Sequence, residues 1–301
     1  MSNISMSFFS KLRTCLRRRY YVIGYGSFSD VNVYSNEVPS HITWVRFNNY
    51  KTNWLADPYI LAETDTNIEF LVEEWIENEH KGRLAKLSFD KKHRKVLYIK
   101  TILDLSSHLS FPSIVKENNR IYVCPENAAS GKQKIYEYNT KKAILENPVT
   151  IINESLLDVN IVKIDHCYYA FGIRSLQNDQ GDNCRLRIYK SDVLLGRYVL
   201  YQEITSDLAQ ERGAGAFFWY DGKLVRPVQN CEGDYGRNVI FKEILLKDNI
   251  FEEKVIGSLF PTNQYPEGLH TFNVQGDTYV IDGMGYNAGK WMTYLKRCLH
   301  K

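Results

Sequence analysis

The sequence predicts an all-β protein folded as a five-bladed β-propeller, and three observations lead there. Aromatic residues are abundant, with 21 Tyr and 14 Phe, and such residues favour half-buried strands. Hairpin patterns, each two apolar runs around a polar turn, recur along the chain. Their starts, marked by Asp57, Pro112, Asp158, Gly215 and His270, are spaced by roughly 45 to 57 residues, which is the period of a propeller blade. An irregular β-sandwich with coincidental spacing is the competing arrangement.

The first hairpin pairs residues 58–63 with 68–72 around Thr64-Asp65-Thr66-Asn67, where Asp and Asn supply turn chemistry. The second pairs 110–117 with 120–126 around Asn118-Asn119, and the third 158–164 with 167–174 around Asp165-His166. The fourth pairs 213–220 with 223–229 around Asp221-Gly222. The fifth pairs 270–274 with 278–282 around Gln275-Gly276-Asp277. Residues 84–88, 134–138, 186–190 and 239–246 read as outer strands between these copies. Helix is scarce, and 102–107 and 151–157 read as connections between blades. No Pro/Gly/Ser-rich linker interrupts the pattern, so residues 21–301 are expected to form one domain after a tail of residues 1–20.

The net charge of +3 is too small to point to nucleic acid, and no nucleic-acid partner is expected. The basic charge is uneven, however. Lys11, Arg13, Arg17, Arg18 and Arg19 crowd beside Met6, Phe8, Phe9, Leu12 and Leu16. They form a basic amphipathic tail suited to an anionic membrane surface, with a solvated or disordered tail as the alternative. No apolar run long enough for an export signal or a membrane span follows. The six cysteines are scattered without metal-ligand spacing, which suits reduced thiols. A cytoplasmic location, peripheral to the inner membrane face, is the expectation.

In a propeller the start of each innermost strand and the end of the next lie on one face. Those positions hold Asp57 with Glu73 and Glu74, His108 with Glu126, and Asp158 with Arg174. Blade four adds Glu211 and Arg212 with Arg226 and Gln229, and blade five adds His270 with Asp282. Each has an ordinary rival. Asp57 before Pro58 can initiate a turn, Glu73-Glu74 can be a solvated strand end, and Pro125-Glu126 can be loop chemistry. Arg212 and Arg226 can be structural ion partners, His270 an interior histidine, and Asp282-Gly283 a turn. Recurrence in every repeat favours a site. Paired carboxylates serve glycosyl chemistry, one ionised to activate a hydroxyl or water and one protonated to assist the leaving oxygen. Arginines there recognise carboxylate or phosphate. Trp54, Trp75, Phe111, Trp219 and Tyr235 offer stacking faces for sugars, with core packing the ordinary role for most of them. Phosphate-loop, dinucleotide and Ser-His-Asp signatures are absent from the sequence.

Several motifs carry a family resemblance: Trp54-Leu-Ala-Asp-Pro58, His108-Leu-Ser-Phe-Pro112, Pro125-Glu126, Arg226-Pro-Val-Gln229, Tyr235-Gly236 and Gly268-Leu-His-Thr271. The chain resembles, from about Tyr21 to Asp282, the propeller-like domain at the N-terminus of plant glucosamine inositolphosphorylceramide transferases and in bacterial polysaccharide-locus proteins. More distantly it is similar to five-bladed family 43 glycoside hydrolases. That similarity implies Asp57 as general base and Asp158 as the carboxylate that orients and tunes the acid. It implies His270 near a central cation, a divalent ion such as calcium. The general acid is Glu126 or Glu211, with Glu126 preferred. Glu74, His108, Glu211, Arg212, Arg226, Gln229, Tyr235 and His270 are the expected substrate-binding residues. The implied partners are an activated sugar donor and a glycan or lipid-linked acceptor. The expected activity is glycosyl transfer in surface polysaccharide or glycolipid synthesis. An inverting glycoside hydrolase and a non-catalytic glycan- or protein-binding propeller are the alternatives.

Overall fold

Ile68, Phe70 and Val72 are fully buried in β5 (Asn67–Ile76), and so is Leu71, which points the other way. A strand with both faces buried needs a neighbour on each side, and a radial stack of sheets supplies it. The computed structural model describes residues 17–38, 40–47, 50, 53–175, 183–207 and 210–288. Blade one is β4 (Trp54–Glu63), β5, β6 (Lys81–Asp90) and β7 (Lys95–Leu103), paired in that order. Blade two is β8 (Ser110–Glu117), β9 (Arg120–Glu126), β10 (Gln133–Asn139) and β11 (Ile144–Ile152). Blade three is β12 (Leu157–Ile164), β13 (Cys167–Ser175), β14 (Asn183–Ser191) and β15 (Val199–Asp207). Blade four is β16 (Phe218–Tyr220), β17 (Lys223–Asn230), β18 (Asn238–Lys247) and β19 (Ile250–Leu259). The fold is the five-bladed propeller, and the hairpins read from the sequence are the first two strands of each blade.

Blade five joins the two ends of the described chain. Its order is β20 (Phe272–Gln275), β21 (Thr278–Ala288), β1 (Arg17–Ser27) and β3 (Thr43–Val45). β1 pairs antiparallel with β21 from Arg17↔Ala288 to Ser27↔Thr278. A short β2 (Asn36–Glu37) then runs parallel to the outer edge of β19 in blade four. The N-terminal strand thus closes the ring and leaves fewer bare edges. One boundary is corrected by this pairing: residues 17–20, assigned to the tail, begin β1, and residues 1–16 lie outside the described residues. Among the described residues no helix is long and apolar enough to cross a membrane.

The core is divided among the contacts between neighbouring blades. Ile68, Phe70 and Val72 pack with Ile23, Val45 and Val280 between blades one and five. Leu71 and Leu84 pack with Phe111, Val123 and Tyr136 between blades one and two. Similar clusters join blades two and three around Cys124 and Ala170, three and four around Phe171 and Phe251, and four and five around Phe241 and Phe272. Each fully buried Phe or Leu contributes about 1.5–3 kcal/mol, and alternation sends successive residues to different neighbours.

Side-chain amides join the innermost strands across the channel. Asn160 Oδ1 accepts from Tyr59 Oη at 3.3 Å and Ser113 Oγ at 3.0 Å, and its Nδ2 donates to the Gly215 carbonyl at 2.8 Å. Asn273 Nδ2 donates to the Pro58 carbonyl at 2.9 Å. These bonds tie blades one to five at the channel, where no ladder links one sheet to the next.

Candidate active site

Three successive inner strands carry the same backbone irregularity. Register shifts fall between Ala56 and Tyr59, Ser110 and Ser113, and Leu157 and Asn160. At each shift one residue is left-handed: Asp57 at φ 49°, Phe111 at φ 45° and Asp158 at φ 49°. Asp tolerates this conformation, whereas a bulky Phe is strained by it. A bulge re-aims side chains and frees backbone N–H groups from the ladder. Here each freed N–H is taken by a carboxylate of the preceding blade. Asp57 N donates to Asp282 Oδ2 at 3.2 Å, Phe111 N to Asp57 Oδ2 at 3.0 Å, and Asp158 N to Glu126 Oε2 at 3.2 Å.

These groups open onto a cavity of about 330 Å³ at the mouth of the channel. Asp57, Glu126, Asp158, His108, Arg212, Gln229, Tyr235 and His270 all line it. The sequence singled out those eight, and the structure brings them together. Glu73, Arg19, Tyr21, Trp54, Trp75 and Ser110 line it too.

Three expected binding residues lie elsewhere. Glu74 follows Glu73 on a strand, so it faces the opposite side. It accepts from the Tyr50 hydroxyl and from Arg83 Nε, the latter at 2.7 Å. Glu73 is therefore the cavity residue of this pair. Arg226 and Glu211 belong to a buried ionic cluster within blade four. Arg226 Nη1 stands 3.3 Å from Glu211 Oε2 and 2.5 Å from Glu253 Oε1, while Lys242 Nζ reaches Glu211 at 2.6 Å and Glu253 at 3.1 Å. Neither lines the cavity, so Glu211 is removed as the alternative general acid. Arg174, another residue read at a strand end, turns to Glu154 at 3.2 Å.

Within the cavity the carboxylates differ in surroundings. Asp57 is pushed up to about 6 by burial, with help from Asp282 and Asp158 and against the pull of His270. Burial, reinforced by the Asp158 charge, holds Glu126 well above the usual carboxylate range despite Arg212. Glu73 is raised well above that range by burial and then by Asp57 and Glu126. Asp158 is gripped by Arg212, Nε to Oδ2 at 2.8 Å and Nη2 to Oδ1 at 3.1 Å. Arg212 also stands 3.6 Å from Glu126 Oε2, and its guanidinium lies 5.1 Å from the Tyr235 ring centroid.

Two histidines have fixed roles. His108 Nδ1 accepts from Gly82 N at 2.8 Å, so Nε2 carries the proton and points to Glu73 at 3.7 Å. Burial and the Arg212 charge lower its pKa, which keeps it neutral. Gly82 must be glycine here, because a Cβ would lie 2.5 Å from the Leu109 carbonyl oxygen and press on the Glu73 carboxylate. His270 stands between two acids, Nε2 at 3.3 Å from Asp57 Oδ1 and Nδ1 at 2.8 Å from Asp282 Oδ2. Burial alone lowers its pKa, but Asp282 and Asp57 outweigh that and raise it.

Ligand atoms of Asp57, His270 and Asp282 lie within 4.8 Å of one another, and this is the group to weigh against the expected cation. The set fits calcium poorly, since calcium takes six to eight oxygens. One of its three members offers nitrogen, and Asp282 already accepts from His270 N, Thr271 N and the Thr271 hydroxyl.

Tyr21, Trp54 and Trp75 form an aromatic wall, with Trp54 stacked on Trp75 at 5.3 Å and Tyr21 over His270 at 4.6 Å. Arg19 and Tyr21 come from β1. Their place at the mouth follows from closure of the ring by the N-terminal strand, and no hairpin motif marks it.

Residues 38–295 match the family described as glucosamine inositolphosphorylceramide transferase 1, N-terminal. The chain belongs to that family. Glucosamine inositolphosphorylceramide transferase 1 of Oryza sativa subsp. japonica is 28% identical over 255 residues, 82% of this chain and 33% of the rice protein. The Arabidopsis thaliana protein of the same name is 28% identical over 233 residues, 72% of this chain and 29% of its own. The chain spans about a third of the length of these curated relatives. Among solved structures, a family 117 glycoside hydrolase of Zobellia galactanivorans superposes with a TM-score of 0.51 at 10% identity, covering 92% of this chain and 98% of the hydrolase. A family 43 β-1,3-galactosidase superposes with a TM-score of 0.51 at 8% identity, covering 78% and 90%. Both similarities concern the propeller fold.

Proposed function

We propose that this protein transfers a sugar from an activated donor to a glycan or lipid-linked acceptor during surface-glycan or glycolipid synthesis. The observation that carries the reading is the contrast between two carboxyl groups in one cavity. Asp57, beside His270, is pushed up to about 6, whereas Glu126, buried beside Asp158, is held well above the usual carboxylate range, which favours its protonated form. Asp57 takes the proton of the acceptor hydroxyl as its oxygen bonds to the anomeric carbon. The bond from that carbon to the leaving group breaks, and Glu126 gives its proton to the departing oxygen. Burial first, and then the charge of Asp158 fixed by Arg212, favour the proton on Glu126. Trp54 and Trp75 are placed to stack on the sugar. Relatives named as transferases and the cluster of arginines support transfer over hydrolysis. The basic N-terminal residues add to the proposal a place at an anionic membrane surface.

The test is a surface-glycan profile of the native host carrying Asp57→Asn, beside wild type and a deletion strain. A glycan shortened or lost in both altered strains is expected. An effect of the deletion alone makes the propeller a binding module, and an intact glycan with oligosaccharide accumulating inside the cell makes it a hydrolase.

A further inference from the structure

A second cavity of about 230 Å³ adjoins the acidic one, and the two share Arg19, Tyr21 and Trp54 as lining. Their charges are opposite in character. Among the described residues the second is lined by Arg18, Arg19 and Arg46 and by no carboxylate, whereas the first holds Asp57, Glu73, Glu126 and Asp158. Arg18 pairs with Glu77, and its Nε is buried without a hydrogen-bond partner among the described residues. Arg19 leans on Asp234 at 3.0 Å. Arg46 is exposed and makes no ion pair among the described residues.

The wall between the cavities carries the second observation. Tyr21 is only 6% exposed, yet its hydroxyl has no hydrogen-bond partner among the described residues. A buried hydroxyl left unpaired costs about 1–3 kcal/mol, so an acceptor at the junction is what this position lacks. Burial raises the Tyr21 pKa, so the phenol stays a donor. Tyr265 and Trp54 add flat apolar faces beside the arginines.

We infer that the second cavity binds the phosphate-bearing end of the glycosyl substrate while its sugar occupies the acidic cavity. Arginine suits phosphate because its planar fork donates to two oxygens at once. The Tyr21 hydroxyl then donates to an oxygen at the sugar–phosphate junction, and the aromatic faces take the base or apolar group that the phosphate carries. The position of the sugar rests on the transfer reading, whereas phosphate binding does not.

The test uses the purified full chain with two probes that separate the sources of phosphate. One is uridine diphosphate, followed by titration calorimetry. The other is phosphatidylcholine vesicles with and without phosphatidic acid, followed by co-flotation. Binding to either probe is expected, weakened about tenfold or more by Arg46→Ala and by Tyr21→Phe. Arg46 is exposed, so loss of fold does not explain that result, and thermal melts check Tyr21→Phe. Failure to bind both probes, or binding indifferent to Arg46→Ala and to Arg18→Gln, overturns the inference. Arginine-dependent binding in a protein whose Asp57→Asn host keeps its glycan upholds the chamber and sinks the transfer reading. Transfer activity unmoved by the arginine variants does the reverse.

Discussion

Arg212 of blade four holds both carboxylate oxygens of Asp158 in blade three, through Nε at 2.8 Å and Nη2 at 3.1 Å. The Asp158 N–H reaches back to Glu126 of blade two at 3.2 Å. Three blades are linked in one chain of hydrogen bonds, and its last member is the group proposed to carry the acidic proton.

Arg212→Lys keeps the positive charge but loses the fork. Asp158 is then held at one point, and its influence on Glu126 becomes less well directed. The transfer rate should fall by about tenfold or more while the melting temperature changes little. Steady-state kinetics beside a thermal melt checks this. An unchanged rate removes the Arg212 grip from the mechanism.

The pH profile of the reaction should be a bell with distinct origins for its limbs. The acid limb reports Asp57, which must be ionised, so activity falls as pH drops through about 6. The alkaline limb reports Glu126, which must be protonated, so activity falls as pH rises through its elevated value. Glu126→Gln with a donor whose leaving group needs no proton should lose the alkaline limb and keep the acid one. Persistence of both limbs assigns the acid elsewhere.

Glu73 provides a stability test independent of turnover. Its folded pKa lies above the unfolded value, so the native state holds the proton more tightly. Stability is therefore lost as pH rises from the ordinary carboxylate range through the raised value. Glu73→Gln removes that loss. The variant should gain melting temperature over wild type as pH is raised from mildly acidic to mildly alkaline, and an advantage that is constant with pH contradicts the assignment.

Arg226 offers the opposite case. It lies in the buried cluster of Glu211, Lys242 and Glu253, away from the cavity. Arg226→Met removes a buried cation from the cluster with Glu211, Lys242 and Glu253 and should cost about 3–5 kcal/mol. Denaturant unfolding measures this. Glycan or donor affinity of the folded fraction should be unchanged, and a selective loss of affinity would return Arg226 to the site.

Local sequence was enough to mark the hairpins, their count and the end of the propeller where the polar residues gather. Turn residues and period-two alternation are local properties, so Thr64-Asp65-Thr66-Asn67 and Asp221-Gly222 mark their turns without help from distant chain. Asp57 and Asp158 were legible because each stands near the start of the inner strand of its repeat, and Glu126 because it ends the second strand of its own. The remainder depends on how the blades pack. Glu73 and Glu74 are adjacent acids, and a one-residue phase sends one to the cavity and the other to Tyr50 and Arg83. Arg212 and Arg226 look alike in the chain, yet only contact with blade three turns the first to Asp158, while Glu211 and Glu253 keep the second within its own blade. Arg19 and Tyr21 reach the mouth because β1 pairs with β21 across most of the chain's length. Such a pairing depends on closure of the whole ring, a long-range packing choice that local patterning does not encode.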